Sequence, residues 1–174
     1  SFDGGLMQCD KTTVDASTEI SMTQMNTLTL GEMTSTGNKI EITGGNPTVT
    51  SLIMKETVTT IILGNGKTMT TSSCPFDGKT VTLSSGYLKC NSMTTDASTK
   101  LSTSTSQSKI TVTSLTSNGN KITVESGVFE ITETLILNEQ TTEISLGTSE
   151  TTINKCNFGS KTVTMSGTNM KCKT

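Results

Sequence analysis

One stretch of this chain is written twice, and that duplication limits what it can fold into. Cys74-Pro75-Phe76-Asp77-Gly78-Lys79-Thr80-Val81-Thr82-Leu83, closing at Cys90, returns as Cys156-Asn157-Phe158-Gly159-Ser160-Lys161-Thr162-Val163-Thr164-Met165, closing at Cys172. Upstream, Asp15-Ala16-Ser17-Thr18 matches Asp96-Ala97-Ser98-Thr99, and Gly37-Asn38-Lys39-Ile40 matches Gly119-Asn120-Lys121-Ile122. The step from Cys74 to Cys156 equals the step from Cys90 to Cys172, with one-residue slips elsewhere. Self-similarity of this kind marks stacked or tandem modules. Two copies are expected: residues 1–90, of which 1–8 echo the end of a preceding unit, and residues 91–174.

Each copy reads as strands. Lys39-Ile40-Glu41-Ile42-Thr43, Lys79 to Leu83, Lys109 to Thr113 and Lys121 to Glu125 alternate apolar and polar residues. That period of two places the apolar set on one face of a half-buried strand. Glycine and asparagine clusters at Gly37-Asn38, Gly64-Asn65-Gly66, Asp77-Gly78 and Gly119-Asn120 punctuate the runs and suit tight corners. No segment shows a helical apolar stripe. About 60 residues, roughly a third, are Ser or Thr, far above ordinary usage. Threonine is β-branched and fits a pleated surface, so this bias is compatible with order. The polar run Asp96 to Ser108 aligns with Asp15 to Leu30 and is therefore expected to be strand, with a linker as the alternative.

The predicted class is all-β: two tandem copies of a unit of about 82 residues, with a β-solenoid favoured over two small β-sandwiches. Sandwich cores usually hold large aromatics, and this chain has no Trp and one Tyr. The texture of Thr68-Met69-Thr70, Lys79-Thr80-Val81-Thr82 and Gly86-Tyr87-Leu88 resembles right-handed parallel β-helices. Equivalent burial is expected for Ile40, Ile42, Val81 and Leu83 in one copy and Ile122, Val124, Val163 and Met165 in the other. Most of the nine methionines fall at apolar positions and read as core filler.

Five cysteines are present. The equal spacing within Cys74/Cys90 and Cys156/Cys172 predicts one disulfide per copy and an oxidising compartment. Metal binding would need more ligands at closer spacing. Cys9 aligns with the closing cysteines Cys90 and Cys172, and Phe2-Asp3-Gly4 echoes Phe76-Asp77-Gly78. The chain thus opens in the middle of a unit, and Phe2 and Cys9 are the expected intersubunit contacts. A thiol without a role is the alternative for Cys9. A start at Ser1 suggests a processed terminus of a secreted, extracellular or cell-surface protein.

The catalytic vocabulary is thin. Histidine is absent and every basic residue is lysine, so Ser-His-Asp, Cys-His and guanidinium-clamp chemistries cannot be assembled. A carboxylate pair for glycoside hydrolysis would come from Glu125, Glu130, Glu133, Glu139 or Glu143, all in polar surroundings. Asp77 and Asp96 are the places to look for calcium, but no acidic ladder supports it. No catalytic residue, cofactor or metal is expected. A net charge of −2 gives no case for nucleic acid, and no run is long enough to insert into a membrane.

The leading expectation is a secreted, non-catalytic structural protein that self-associates head to tail into a filament, sheath or surface layer. An adhesin or carbohydrate-binding module with a glycan partner is one alternative. The other is an ice-binding protein, because the many Thr-x-Thr pairs resemble the arrays of insect antifreeze β-solenoids, although their spacing here is irregular.

Overall fold

The computed structural model describes residues 5–22, 27–156 and 158–173. Phe2, Met25 and Asn157 fall outside them. Among the described residues the chain is strand and turn with no helix, wound into a β-solenoid of about eight turns. Each turn contributes one strand to each of two parallel ladders. The first ladder holds β1 (Leu6–Val14), β3 (Thr27–Ser35), β5 (Thr48–Met54), β7 (Thr68–Pro75), β9 (Tyr87–Thr95), β11 (Lys109–Ser117) and β13 (Val128–Leu137). The second holds β2 (Glu19–Ser21), β4 (Lys39–Thr43), β6 (Val58–Leu63), β8 (Thr80–Ser85), β10 (Lys100–Thr103) and β12 (Lys121–Ser126). The long strands β14 (Thr141–Ile153) and β15 (Thr162–Cys172) turn the corner and belong to both.

Among the described residues every pairing is parallel, which removes the sandwich alternative. Strand β9 crosses the join between the two copies and pairs with β7 on one side and β11 on the other. The ladder therefore runs unbroken there. From Cys90 to Cys172 the register steps through Val112, Ile131 and Ile153, so one copy spans four coils. The smaller unit is a single coil of roughly 20 residues, at the short end of solenoid repeats. Its sequence is too degenerate to show as identity.

Inward residues stack in columns along the axis. One column runs Cys9, Leu30, Val49, Thr71, Cys90, Val112, Ile131, Ile153, Cys172. Its interior members are buried, whereas Cys9 is half-buried and Cys172 exposed. Packing a Leu, Ile or Val this way stabilises by about 1.5–3 kcal/mol each. The same rule corrects one expectation. Ile40, Ile42, Val81, Leu83, Ile122 and Val124 are buried, but Val163 is half-buried and Met165 is 54% exposed. Met165 has the right alternation; it sits in β15, which among the described residues pairs with β14 alone.

The low-complexity run is part of the wall. It contains β10, and Thr99, Thr103 and Ser108 are buried. The chain makes a coil there with hydroxyls where other coils use Ile or Leu.

Candidate functional site

The duplicated motifs are corner pieces. Asp15 Oδ1 accepts hydrogen bonds from the Ser17 N–H (3.0 Å), Ser17 Oγ (2.7 Å) and Thr18 Oγ1 (2.8 Å), while the Asp15 N–H donates to Thr18 Oγ1. Asp96 repeats the arrangement with Ser98 and Thr99. These side chains satisfy backbone groups that a bend leaves unpaired. The hydrogen bonds from Ser17 and Thr18 hold the Asp15 carboxyl below the usual range. At Asp96 burial presses upward, but the donors Ser98, the Gly78 N–H and Thr99 outweigh it, so that carboxyl also lies low.

The next coil settles directly onto each of these corners. A Cβ added at Gly37 would lie 2.1 Å from the Ala16 nitrogen, and one at Gly119 would lie 2.2 Å from the Ala97 nitrogen. Only glycine allows so close an approach, which explains why the Asp-Ala-Ser-Thr and Gly-Asn-Lys-Ile motifs travel together.

The cysteine motif makes a second kind of corner. Lys79 N–H donates to the Phe76 carbonyl, and Lys161 N–H to the Phe158 carbonyl. Gly78 supplies a positive φ of 72° at the third turn position, and Gly159 one of 56° at the second. Moving the glycine by one position changes the turn type but keeps its closure. Lys79 Nζ then donates to the Lys55 carbonyl, and Lys161 Nζ to those of Asn138 and Glu139, tying each turn to the coil before it.

Disulfides join Cys74 to Cys90 and Cys156 to Cys172, each across 16 residues and between neighbouring coils. Two such bonds indicate an oxidising environment. Cys9 is a free thiol packed against the core at the N-terminal end, in register with Leu30. The structure thus sets Cys9, Cys90 and Cys172 in one column and makes no other use of Cys9 within the chain. Phe2 cannot be placed beside it.

The outer faces carry no assembled chemistry among the described residues. Glu125 pairs with Lys100 (3.4 Å), Glu130 with Lys109 (2.5 Å) and Glu143 with Lys121 (3.3 Å), while Glu133 and Glu139 are exposed. Asp77 accepts from Thr94 Oγ1 and from Asn118 Nδ2, and Asn138 continues that ladder to Asn118. No group of three possible metal ligands occurs among the described residues. The best-aligned threonine file runs Thr29, Thr48, Thr70, Lys89, Thr111, Glu130, Thr152, so charged residues interrupt it. Phe76 and Phe129 are buried in the core rather than displayed.

What remains are the two ends of the stack. Among the described residues β1 and β2 each pair on one side only, with β3 and β4, and β15 pairs only with β14. Among the described residues no second strand lies along their far edges. Uncovered apolar side chains accompany them: Leu6 and Met7 at one end, Val163 and Met165 at the other. Beside the second lies a groove lined by Leu135, Ile136, Leu137, Phe158 and Lys161. Among the described residues β14 pairs with β13 only from Val128 to Ile131, and no ladder pairing on that side reaches the Leu135–Leu137 segment. In the first copy β7 continues as strand through Pro75.

The fold defines a two-ladder parallel β-solenoid. Compared with known proteins, the chain matches no family model, no curated sequence and no solved structure at a significant level. No helix among the described residues is long and apolar enough to cross a membrane.

Proposed function

We propose that this chain is a secreted, non-catalytic structural protein that self-associates through the ends of its solenoid into a filament, sheath or surface layer. The observation that carries the reading is the pair of uncovered end coils. Each offers a parallel strand edge together with apolar residues that belong to a core. Such edges recruit another strand. The disulfides support an extracellular setting, where such assemblies work. The ion-paired glutamates and the absence of histidine support a role without catalysis.

Sedimentation and negative-stain microscopy over a concentration series of the oxidised chain test this. Rods that lengthen with concentration are expected. A folded monomer persisting at about 0.1 mM, a concentration that would populate even a weak micromolar contact, would overturn it.

A further inference from the structure

The two ends carry opposite charge. Residues 1–22 contain Asp3, Asp10, Asp15 and Glu19 against one lysine, Lys11. Residues 151–174 contain Lys155, Lys161, Lys171 and Lys173 and no acidic residue. Of these, Asp10, Asp15, Glu19, Lys155, Lys171 and Lys173 are exposed. Lys171 turns back to Glu150 on the coil beneath it (3.1 Å). A net charge of −2 for the chain conceals this polarity.

Among the described residues three of the four coil-to-coil ion pairs run in this sense, and Lys171–Glu150 runs in the other. Lys100 with Glu125, Lys109 with Glu130 and Lys121 with Glu143 each join a lysine on one coil to a glutamate on the next. A basic last coil followed by an acidic first coil would repeat that arrangement across a subunit boundary.

We propose that the occupant of each end is a second copy of this chain, stacked head to tail, with the basic C-terminal coil of one molecule on the acidic N-terminal coil of the next. The inference rests on the self-association reading and adds its polarity and specificity. Continuing the column that holds Cys9 and Cys172 sets Cys172 against Cys9, Lys171 against Gln8 and Lys173 against Asp10. Val163 and Met165 gain the covering coil they lack, as does Met7, which lies in register with the buried Leu28. Head-to-head and tail-to-tail contacts bring like charges together and are disfavoured, so the contact is heterologous and propagates. Assembly is then strongest at low ionic strength, because exposed charges are screened within about 10 Å at 0.1 M salt.

Two charge-reversed chains test the polarity. One carries Lys155→Glu, Lys171→Glu and Lys173→Glu, giving two acidic ends; the other carries Asp10→Lys and Glu19→Lys, giving two basic ends. Circular dichroism establishes that both fold, since all five sites are exposed. Expected: each alone loses assembly, with the critical concentration raised about tenfold or more by replacing attraction with repulsion. Mixing the two restores rods in which the chains alternate, and a chain bearing all five substitutions, with its polarity swapped, assembles as well. Wild-type rods should shorten on raising salt from about 0.01 M to about 1 M. If wild-type rods form but the reversed chains assemble as well as the parent, or the mixture no better than its components, the polarity is wrong and self-association stands. A wild-type chain monomeric at low salt overturns both.

Discussion

The middle of this solenoid and its last coil are built from the same words and end in different states. Val81 and Leu83 are fully buried; their equivalents Val163 and Met165 are half-buried and exposed. Cys74 and Cys90 lie in the core, whereas Cys156 is half-buried and Cys172 exposed. Alternation along a strand decides only which face a side chain takes. Removal from water is decided by the coils above and below. In a quasi-one-dimensional fold the core is a property of neighbours, so an end coil is half a core whatever its sequence.

The largest expected contrast comes from trimming equivalent side chains. Leu83→Ala should cost about 3 kcal/mol in denaturant unfolding, as buried leucines do, while Met165→Ala should cost under about 1 kcal/mol. Equal losses would mean that the last coil is covered in solution, and repeating the measurement above the assembly concentration sharpens the point. There Met165→Ala should become the costlier of its two values.

The disulfides give the next contrast. Both close loops of the same length, so the chain-entropy contribution is alike, about 3 kcal/mol each. Accessibility differs. Graded reduction followed by alkylation and peptide mapping should open Cys156–Cys172 before Cys74–Cys90. Simultaneous opening would show that the central coils breathe as readily as the end.

The smallest effect concerns the two aspartate corners. Both carboxyls titrate below their ordinary value in the folded chain, so each contributes stability that is present above the unfolded pKa of about 3.9 and lost as pH falls through the folded one. Asp15→Asn and Asp96→Asn should therefore flatten the acid limb of a stability profile and leave neutral pH less affected. Asp96 receives the Gly78 N–H as well, while burial there works against the lowering. An unchanged acid limb in both would mean that these bonds persist in the unfolded turn.

Much of the fold is legible in the sequence. Ile40/Ile42 and Ile122/Val124 announce their strands by alternation, and equal cysteine spacing announces the disulfides. The single-coil repeat is not legible. Column partners such as Leu30, Val49, Thr71 and Cys90 share only a rough size and an inward direction, and no identity survives to be aligned. The exposure of Met165 is hidden for a related reason: its burial depends on residues remote in the chain. The charge polarity of the ends is present in the sequence, but a whole-chain sum erases it; counting by segment recovers it.

The coil-to-coil disulfides have a mechanical consequence. A solenoid pulled from its ends unwinds turn by turn, and each released residue adds about 3.3–3.6 Å of length. The Cys74–Cys90 link withholds its 16-residue span, roughly 50 Å, from that extension. It sits near the middle of the chain, so a tear started at the N-terminal end would meet a covalent stop before reaching the second copy. The solenoid would stretch, arrest and rewind, behaving as ripstop cloth does when a thread parts.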